Sequence, residues 1–220
     1  MNTLPFTFCG AKLAALPSGA VYWLAERLLI VSDLHLGKTE RMARRGGPML
    51  PPYEVEETLD RLLSDIAATS PQTVLCLGDS FDDLAAAQAT GHTVADRLRP
   101  EMAGRRWIWI EGNHVPGPVD IPGDHLADLS IGPLVFRHIA THHENGEVSG
   151  HYHPKARVIL RVRASTRRCL LADGTRRILP AYGTYTGGLF CHHPDLSELM
   201  ADDAKAILVG RKPVALPMPR

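Results

Sequence analysis

The sequence predicts an α/β fold in which two mixed β-sheets face one another and helices cover their outer sides. Three observations lead there. An apolar run of strand length stops three times in a short polar turn carrying Asp, Asn or His: Leu28–Val31 before Asp33, Thr73–Leu77 before Asp79, and residues 107–110 before Asn113. Helical periodicity separates these runs, as parallel strands require. Beyond about residue 130 the pattern changes to short strands divided by turns, without helices, which implies a second and more antiparallel sheet.

Taken in order, residues 20–24 and 27–32 read as a hairpin with Glu26 near its turn, and the second strand runs straight into Asp33. Residues 44–52, rich in Gly and Pro, read as a loop. Val55, Leu59, Leu62, Leu63 and Ile66 share one face of a helix that ends before Pro71. Thr73–Leu77 is a buried-type strand, residues 84–98 a helix, and residues 107–110 a strand. In the second half Leu134–Arg137 and residues 158–162, 169–171 and 177–179 read as strands. A chain of 220 residues, read as one domain over 1–220, can bury a substantial core.

Composition narrows the class. Hydrophobic residues at 45% and charged residues at 22% exclude disorder, collagen and coiled coil. No apolar run is long enough to span a bilayer. Pro5, Gly10, Lys12 and Pro17 interrupt the N-terminal stretch, so no signal peptide is expected. Cys9, Cys76, Cys169 and Cys191 show no CxxC spacing, which points to a reduced, cytoplasmic protein. Net charge is zero, yet between His151 and Pro180 eight basic residues face Asp173 alone. Such a segment either binds a polyanion or forms the wet face of an antiparallel sheet.

The polar residues at the strand ends form an ordered series: Asp33-x-His35, Gly78-Asp79, Gly112-Asn113-His114, His138, and Gly150-His151-Tyr152-His153. A two-metal site needs oxygen and imidazole ligands converging from separate elements, with one carboxylate able to bridge. Alternate residues of a strand point to one side, which would bring Asp33 to His35 and His151 to His153. Glycines at 78, 112 and 150 would let the backbone turn sharply beside the ions.

This series resembles the signature of the calcineurin-like metallophosphoesterase superfamily, with order and spacing matching across residues 33–153. The resemblance implies a four-layer αββα sandwich. GHYHP, the basic strands, PAYGTYTGG and the opening VYWLAERLLIVSDLHLGKTERMARRGGPMLPP narrow it further. They look like the ligase-associated PdeM family of bacterial DNA-damage-response phosphoesterases. That likeness implies DNA processing beside an ATP-dependent DNA ligase, a helicase and an exonuclease. Carried over by position, Asp33, His35, Asp79 and His153 would bind one metal. Asp79, Asn113, His138 and His151 would bind the other, and a hydroxide between the ions would attack phosphorus. His114 would be the catalytic histidine. Mn²⁺ is the expected metal, with Fe²⁺, Zn²⁺ or a mixed pair as alternatives, because no cysteine joins the set.

One departure stands out: Val115 occupies the position where the superfamily usually has Asp after Asn-His. Asp82, in Gly-Asp-x-x-Asp, is then the carboxylate expected to orient His114. His138 rather than His142 is the expected fourth-motif ligand, because it follows a strand directly. Arg44 and Arg45 would either clamp a substrate phosphate or form an ordinary basic turn. Tyr182 and Tyr185 read as core-edge packing, Trp107 and Trp109 as sheet residues, and His92, His125, His142, His143, His192 and His193 as exposed or structural. Three functions remain open: a nuclease or phosphodiesterase on DNA or RNA, a small-molecule phosphoesterase acting on a cyclic nucleotide or nucleotide-sugar lipid, and a non-catalytic adaptor. The motifs do not separate them.

Overall fold

The computed structural model describes residues 2–114, 121–142, 144–160 and 163–220. Val115, His143, Arg161 and Val162 lie outside these residues, so the expectations resting on them are not addressed by the fold.

The first sheet contains, in spatial order, β1 (Leu4–Phe8), β2 (Ala11–Ala15), β3 (Val21–Trp23), β4 (Leu28–Val31), β5 (Thr73–Leu77), β6 (Arg106–Ile110) and β7 (Asp124–Leu126). β1 to β4 are joined antiparallel and β4 to β7 parallel. The sequence shows the parallel half because β4 is apolar at every position and buried on both faces. It hides β1, whose run Pro5 interrupts, and β2, where two of the three buried residues are alanines.

The second sheet is mixed. It runs β15 (Val214–Pro217), β14 (Lys205–Leu208), β12 (Arg163–Ala172), β13 (Arg176–Ile178), β10 (Glu147–Ser149), β9 (Leu134–Arg137) and β8 (Asp128–Ile131), with β11 (Lys155–Leu160) paired to β12. β10 is parallel to both β9 and β13, and the other pairs are antiparallel.

Helix α2 (Glu54–Thr69) buries Leu59, Leu62 and Ile66 of the predicted apolar face, and α3 (Leu84–Met102) covers the predicted helix and continues past Pro100. Two helices differ from expectation. α1 (Lys38–Arg44) is an unpredicted helix just ahead of the expected loop, meeting it at Arg44, and carries no buried side chain, so it leaves no apolar stripe to read. α4 (Pro194–Leu199) is a short helix in the half read as helix-free, with Pro194 in its first turn and the His193 side chain as cap.

Three apolar seams define the layers. One lies between α2, α3 and the first sheet and holds Leu59, Leu62, Ile66, Trp107 and Trp109. The middle one joins the sheets through Ile30, Leu75, Ile108, Phe136 and Leu170. The third lies under α4 with Leu196, Leu199 and Met200 against Cys169 and Leu171. Each fully buried Leu or Ile stabilises the fold by about 1.5–3 kcal/mol. The result is the four-layer αββα sandwich, and it aims the ends of β4, β5, β6 and β10 at a common region. No helix among the described residues is long and apolar enough to cross a membrane.

Candidate metal centre

The turns after these strands are stitched together by their backbones. The Asp33 amide donates to the Gly78 carbonyl at 3.3 Å, His35 to Asp79 at 2.9 Å, and Leu36 to Ser80 at 2.9 Å. Gly150 donates to the His138 carbonyl at 3.0 Å, tying the later motifs together in the same way. The PAYGTYTGG segment braces the first turn, with Tyr182 donating to the Ser32 carbonyl at 2.8 Å and Gly183 to that of Asp33 at 3.1 Å. Tyr182 itself is fully buried, its hydroxyl donating to Asp65 Oδ2 at 2.8 Å, whereas Tyr185 is exposed.

The motif pairs converge for a different reason from the one expected. β4 ends at Val31 and β10 at Ser149, before either pair begins. Asp33, His35, Asp79, His151 and His153 all adopt left-handed backbone, with φ of 54°, 46°, 44°, 69° and 49°. Strand alternation is therefore not the cause. Each such residue costs about 1–3 kcal/mol, a strain that concentrates where a site dictates geometry. The glycines also differ in role. Gly78, at φ 75°, makes a turn and also leaves room for the His138 ring. Gly112 and Gly150 have no positive φ and are required by close approach alone, a Cβ meeting Asp79 Oδ1 at the first and Ser32 Oγ and Asp33 Oδ2 at the second.

Three clusters of ligand atoms result, each within 4.8 Å: Asp33, His35 and His153; His35, Asp79 and His114; Asp79, His138 and His151. They chain through His35 and Asp79, the position a bridging carboxylate requires. Asp33 Oδ2 is occupied by the Ser32 hydroxyl and by the His151 amide at 3.0 Å. Its Oδ1 is buried without a hydrogen bond and faces His153 Nε2 at 3.1 Å. His35 Nε2 and His153 Nε2 meet at 3.3 Å. On the other side His138 Nε2 lies 2.8 Å from Asn113 Oδ1 and 3.3 Å from Asp79 Oδ2. Asn113 is exposed at the rim.

Three of the imidazoles have their outer nitrogen held. His138 Nδ1 meets the Leu77 carbonyl at 3.0 Å, His114 Nδ1 meets that of Asp82 at 2.8 Å, and His35 Nδ1 faces Asp82 Oδ1 at 2.9 Å. With Nδ1–H directed outwards, Nε2 is left as the inward ligand atom. Asp82 therefore acts differently from the expectation. Its carboxylate addresses His35, and only its main-chain carbonyl holds His114. The same carboxylate binds Lys38 Nζ at 3.2 Å and Arg41 Nη1 at 2.9 Å. Sequence reading missed both residues, although their i, i+3 spacing puts them on one face of α1.

Electrostatics follows this layout. Burial by itself raises both Asp33 and Asp79. The imidazoles of His153, His138 and His35 outweigh it at Asp33, and His138 with the His114 amide brings Asp79 down to about 2. Asp82 is likewise buried, yet His35, Arg41 and Lys38 hold it well below the usual carboxylate range. Burial opposes the protonated form of His138, but Asp79 and Asp33 raise it. Burial and the nearby His138 lower His151. Ionised carboxylates thus gather imidazole protons as countercharge. Divalent cations could replace that charge among oxygen and imidazole donors with no thiol, and the unbonded Asp33 Oδ1 already points inwards. The residues fit such ions.

The remaining expected residues fall elsewhere. Arg44 is committed to Asp83, with Nη2 at 2.7 Å and 2.8 Å from its two oxygens, and to Glu40. Arg45 is more exposed and 3.7 Å from Asp83. His142 is exposed and outside the clusters. The basic segment is less exposed than its charge implied: Arg176 and Arg177 are buried, and Arg168 donates to the Ala181 carbonyl at 2.7 Å. They are drawn inwards because sheet-end carbonyls need donors, and Arg177 also stacks on the Phe8 ring at 3.8 Å.

Fold and site together define a metal-dependent phosphoesterase hydrolase. The chain belongs to the calcineurin-like phosphoesterase family, whose profile matches residues 26–210. Among solved structures it is similar to the Pseudomonas putida nuclease MPE, at 28% identity and a TM-score of 0.75 over 97% of this chain and 100% of that one. Both findings are consistent with a PdeM-like family. No curated protein matches it.

Proposed function

We propose that the chain is a two-metal phosphodiesterase that hydrolyses phosphodiester bonds in DNA, in a repair setting in the cytoplasm. The observation that carries the reading is Asp79, shared by two ligand clusters and flanked by inward-facing Nε2 atoms of His35 and His138. Asp33, His35, Asp79 and His153 would hold one ion, and Asp79, Asn113, His138 and His151 the other. Mn²⁺ is the first metal to test, then Fe²⁺ and Zn²⁺. When bound, the ions supply Lewis acidity and a nucleophile at neutral pH.

This chain's own residues do the rest. Ser32 and the His151 amide fix Asp33, Asp82 fixes His35, and the Leu77 carbonyl fixes His138. His114, half-buried beside Asp79 and held at Nδ1, presents Nε2 to the reacting phosphoryl group and can protonate the leaving oxygen. Of Arg44 and Arg45, Arg45 is the more available to a substrate phosphate. DNA is favoured by the nuclease named among the structural relatives and by the family resemblance. That resemblance would also place the chain beside an ATP-dependent ligase, a helicase and an exonuclease.

The test is manganese-dependent hydrolysis of bis-p-nitrophenyl phosphate by wild type and Asp79→Asn, followed by nicking of single-stranded and duplex DNA and of RNA. Turnover abolished in the variant supports the reading. Metal uptake without turnover under any divalent ion overturns it.

A further inference from the structure

The hairpin of β11 and β12 starts two residues after His153 and extends beyond the second sheet. β12 pairs with β14 only through residues 169–172, and through residues 163–168 it pairs with β11 alone. The two neighbours lie on opposite edges. The Arg168 carbonyl accepts from the Val209 amide at 3.0 Å, whereas the Cys169 amide donates to the Pro154 carbonyl at 3.0 Å. Successive peptide groups of a strand point opposite ways, so Ala164 and Thr166 direct their amides and carbonyls to the edge that β14 leaves open.

A groove of about 600 Å³ lies beside this edge, between the hairpin and the turn from β14 to β15. Arg157, Arg167, Arg211 and Lys212 line it, and no carboxylate does. None of the four has an ion-pair partner among the described residues. Between them stand Ile159, 77% exposed, and Val214, 49% exposed. Natural edge strands are usually covered or blunted by charge; the cations here, Arg167 of β12 itself among them, would turn away a basic strand and favour an acidic one. No aromatic ring lines the groove, so it offers no stacking surface for bases.

We propose that this groove docks an extended acidic and apolar segment of a partner protein, added as a strand to the open edge of β12. Backbone groups of Ala164 and Thr166 would pair with the incoming strand. Its apolar side chains would cover Ile159 and Val214, and its carboxylates would meet the four cations. The inference does not depend on the catalytic reading.

The probe is a fluorescein-labelled octapeptide alternating Glu and Val, titrated against the full chain by anisotropy. A Gln–Val peptide and a labelled single-stranded oligothymidylate serve as comparisons. The Glu–Val peptide is expected to bind at least about tenfold more tightly than its neutral counterpart and to weaken with salt. Arg157→Glu with Arg167→Glu should reduce its affinity about tenfold or more. Thr166→Pro should also reduce it, since proline there removes an amide from the open edge and none from the β11 ladder. Thermal unfolding checks each variant, and the milder Arg157→Ser with Arg167→Ser decides the matter if the glutamates unfold the hairpin. Failure of the Glu–Val peptide to bind overturns the proposal. So does equal binding of both peptides, or selective loss of oligothymidylate binding in the arginine variants.

Discussion

Asp82→Asn tests whether the inward set of the histidines depends on their outer partners. The side chain is fully buried and its carboxylate faces three cationic or donor groups at once: His35 Nδ1 at 2.9 Å, Arg41 at 2.9 Å and Lys38 at 3.2 Å. The amide keeps the shape and removes the charge, so it can turn an N–H towards His35 and favour the wrong tautomer. Outer partners of ligating histidines are typically worth tenfold to a hundredfold in metal affinity or activity, about 1.4–2.8 kcal/mol. A separate stability loss of about 1–3 kcal/mol is expected from leaving Lys38 and Arg41 without their anion. Calorimetric titration of Mn²⁺ into the metal-free protein gives the affinity, turnover of bis-p-nitrophenyl phosphate the activity, and urea unfolding the stability. Asp83→Asn is the control, because Asp83 binds Arg44 and caps α3 through the Ala86 amide but does not touch His35. Asparagine still caps α3 and weakens only the partly exposed pair with Arg44, so stability should fall by no more than about 1 kcal/mol and Mn²⁺ affinity should stay unchanged. Metal affinity and turnover unchanged in Asp82→Asn would refute the reasoning.

Further expectations follow from the same geometry. His114→Ala should retain both ions by calorimetry while turnover falls about 10²–10³-fold, since its side chain faces Asp79 without filling either ligand set of the proposal. Gly150→Ala forces a methyl onto Ser32 Oγ and Asp33 Oδ2, so urea unfolding should show a loss of about 2–4 kcal/mol and metal content should drop. Burial pushes Glu54 up to about 7, even though it accepts amides at the start of α1 including Thr39 at 3.4 Å. The folded state therefore keeps a proton that the unfolded chain releases near its ordinary pKa, so stability falls as pH rises from about 4.5 to about 7 and levels off above. Glu54→Gln should flatten that slope in urea unfolding series, and an unchanged slope would contradict it. Tyr182→Phe removes the hydroxyl that donates to buried Asp65 and should cost about 1–3 kcal/mol without altering Mn²⁺ affinity.

Much of this protein is legible in the order of its residues. The parallel strands announce themselves because burial on both faces demands unbroken apolar runs such as Leu28–Val31. The polar turns that follow them can be paired with one another because an α/β sheet places strand ends side by side. α2 is legible because one stripe packs and the other is wet. β1, β2 and α1 are not: Pro5 interrupts β1, alanines fill two of the three buried positions of β2, and α1 buries no side chain.

The sequence alone determined which residues stand in the ordered Asp, His and Asn series and that no cysteine belongs to it. Only the tertiary structure decided how they meet. Asp33, His35, Asp79, His151 and His153 converge through left-handed turns, a local conformation that spacing does not encode and that contacts from distant turns must hold. Tertiary packing also assigned Asp82 to His35 through its side chain and to His114 through its backbone. It turned Arg168, Arg176 and Arg177 inwards and left Arg157 and Arg167 out. Charge and residue type are properties of the chain, but the partner each group finds depends on what the fold brings within about 3 Å of it.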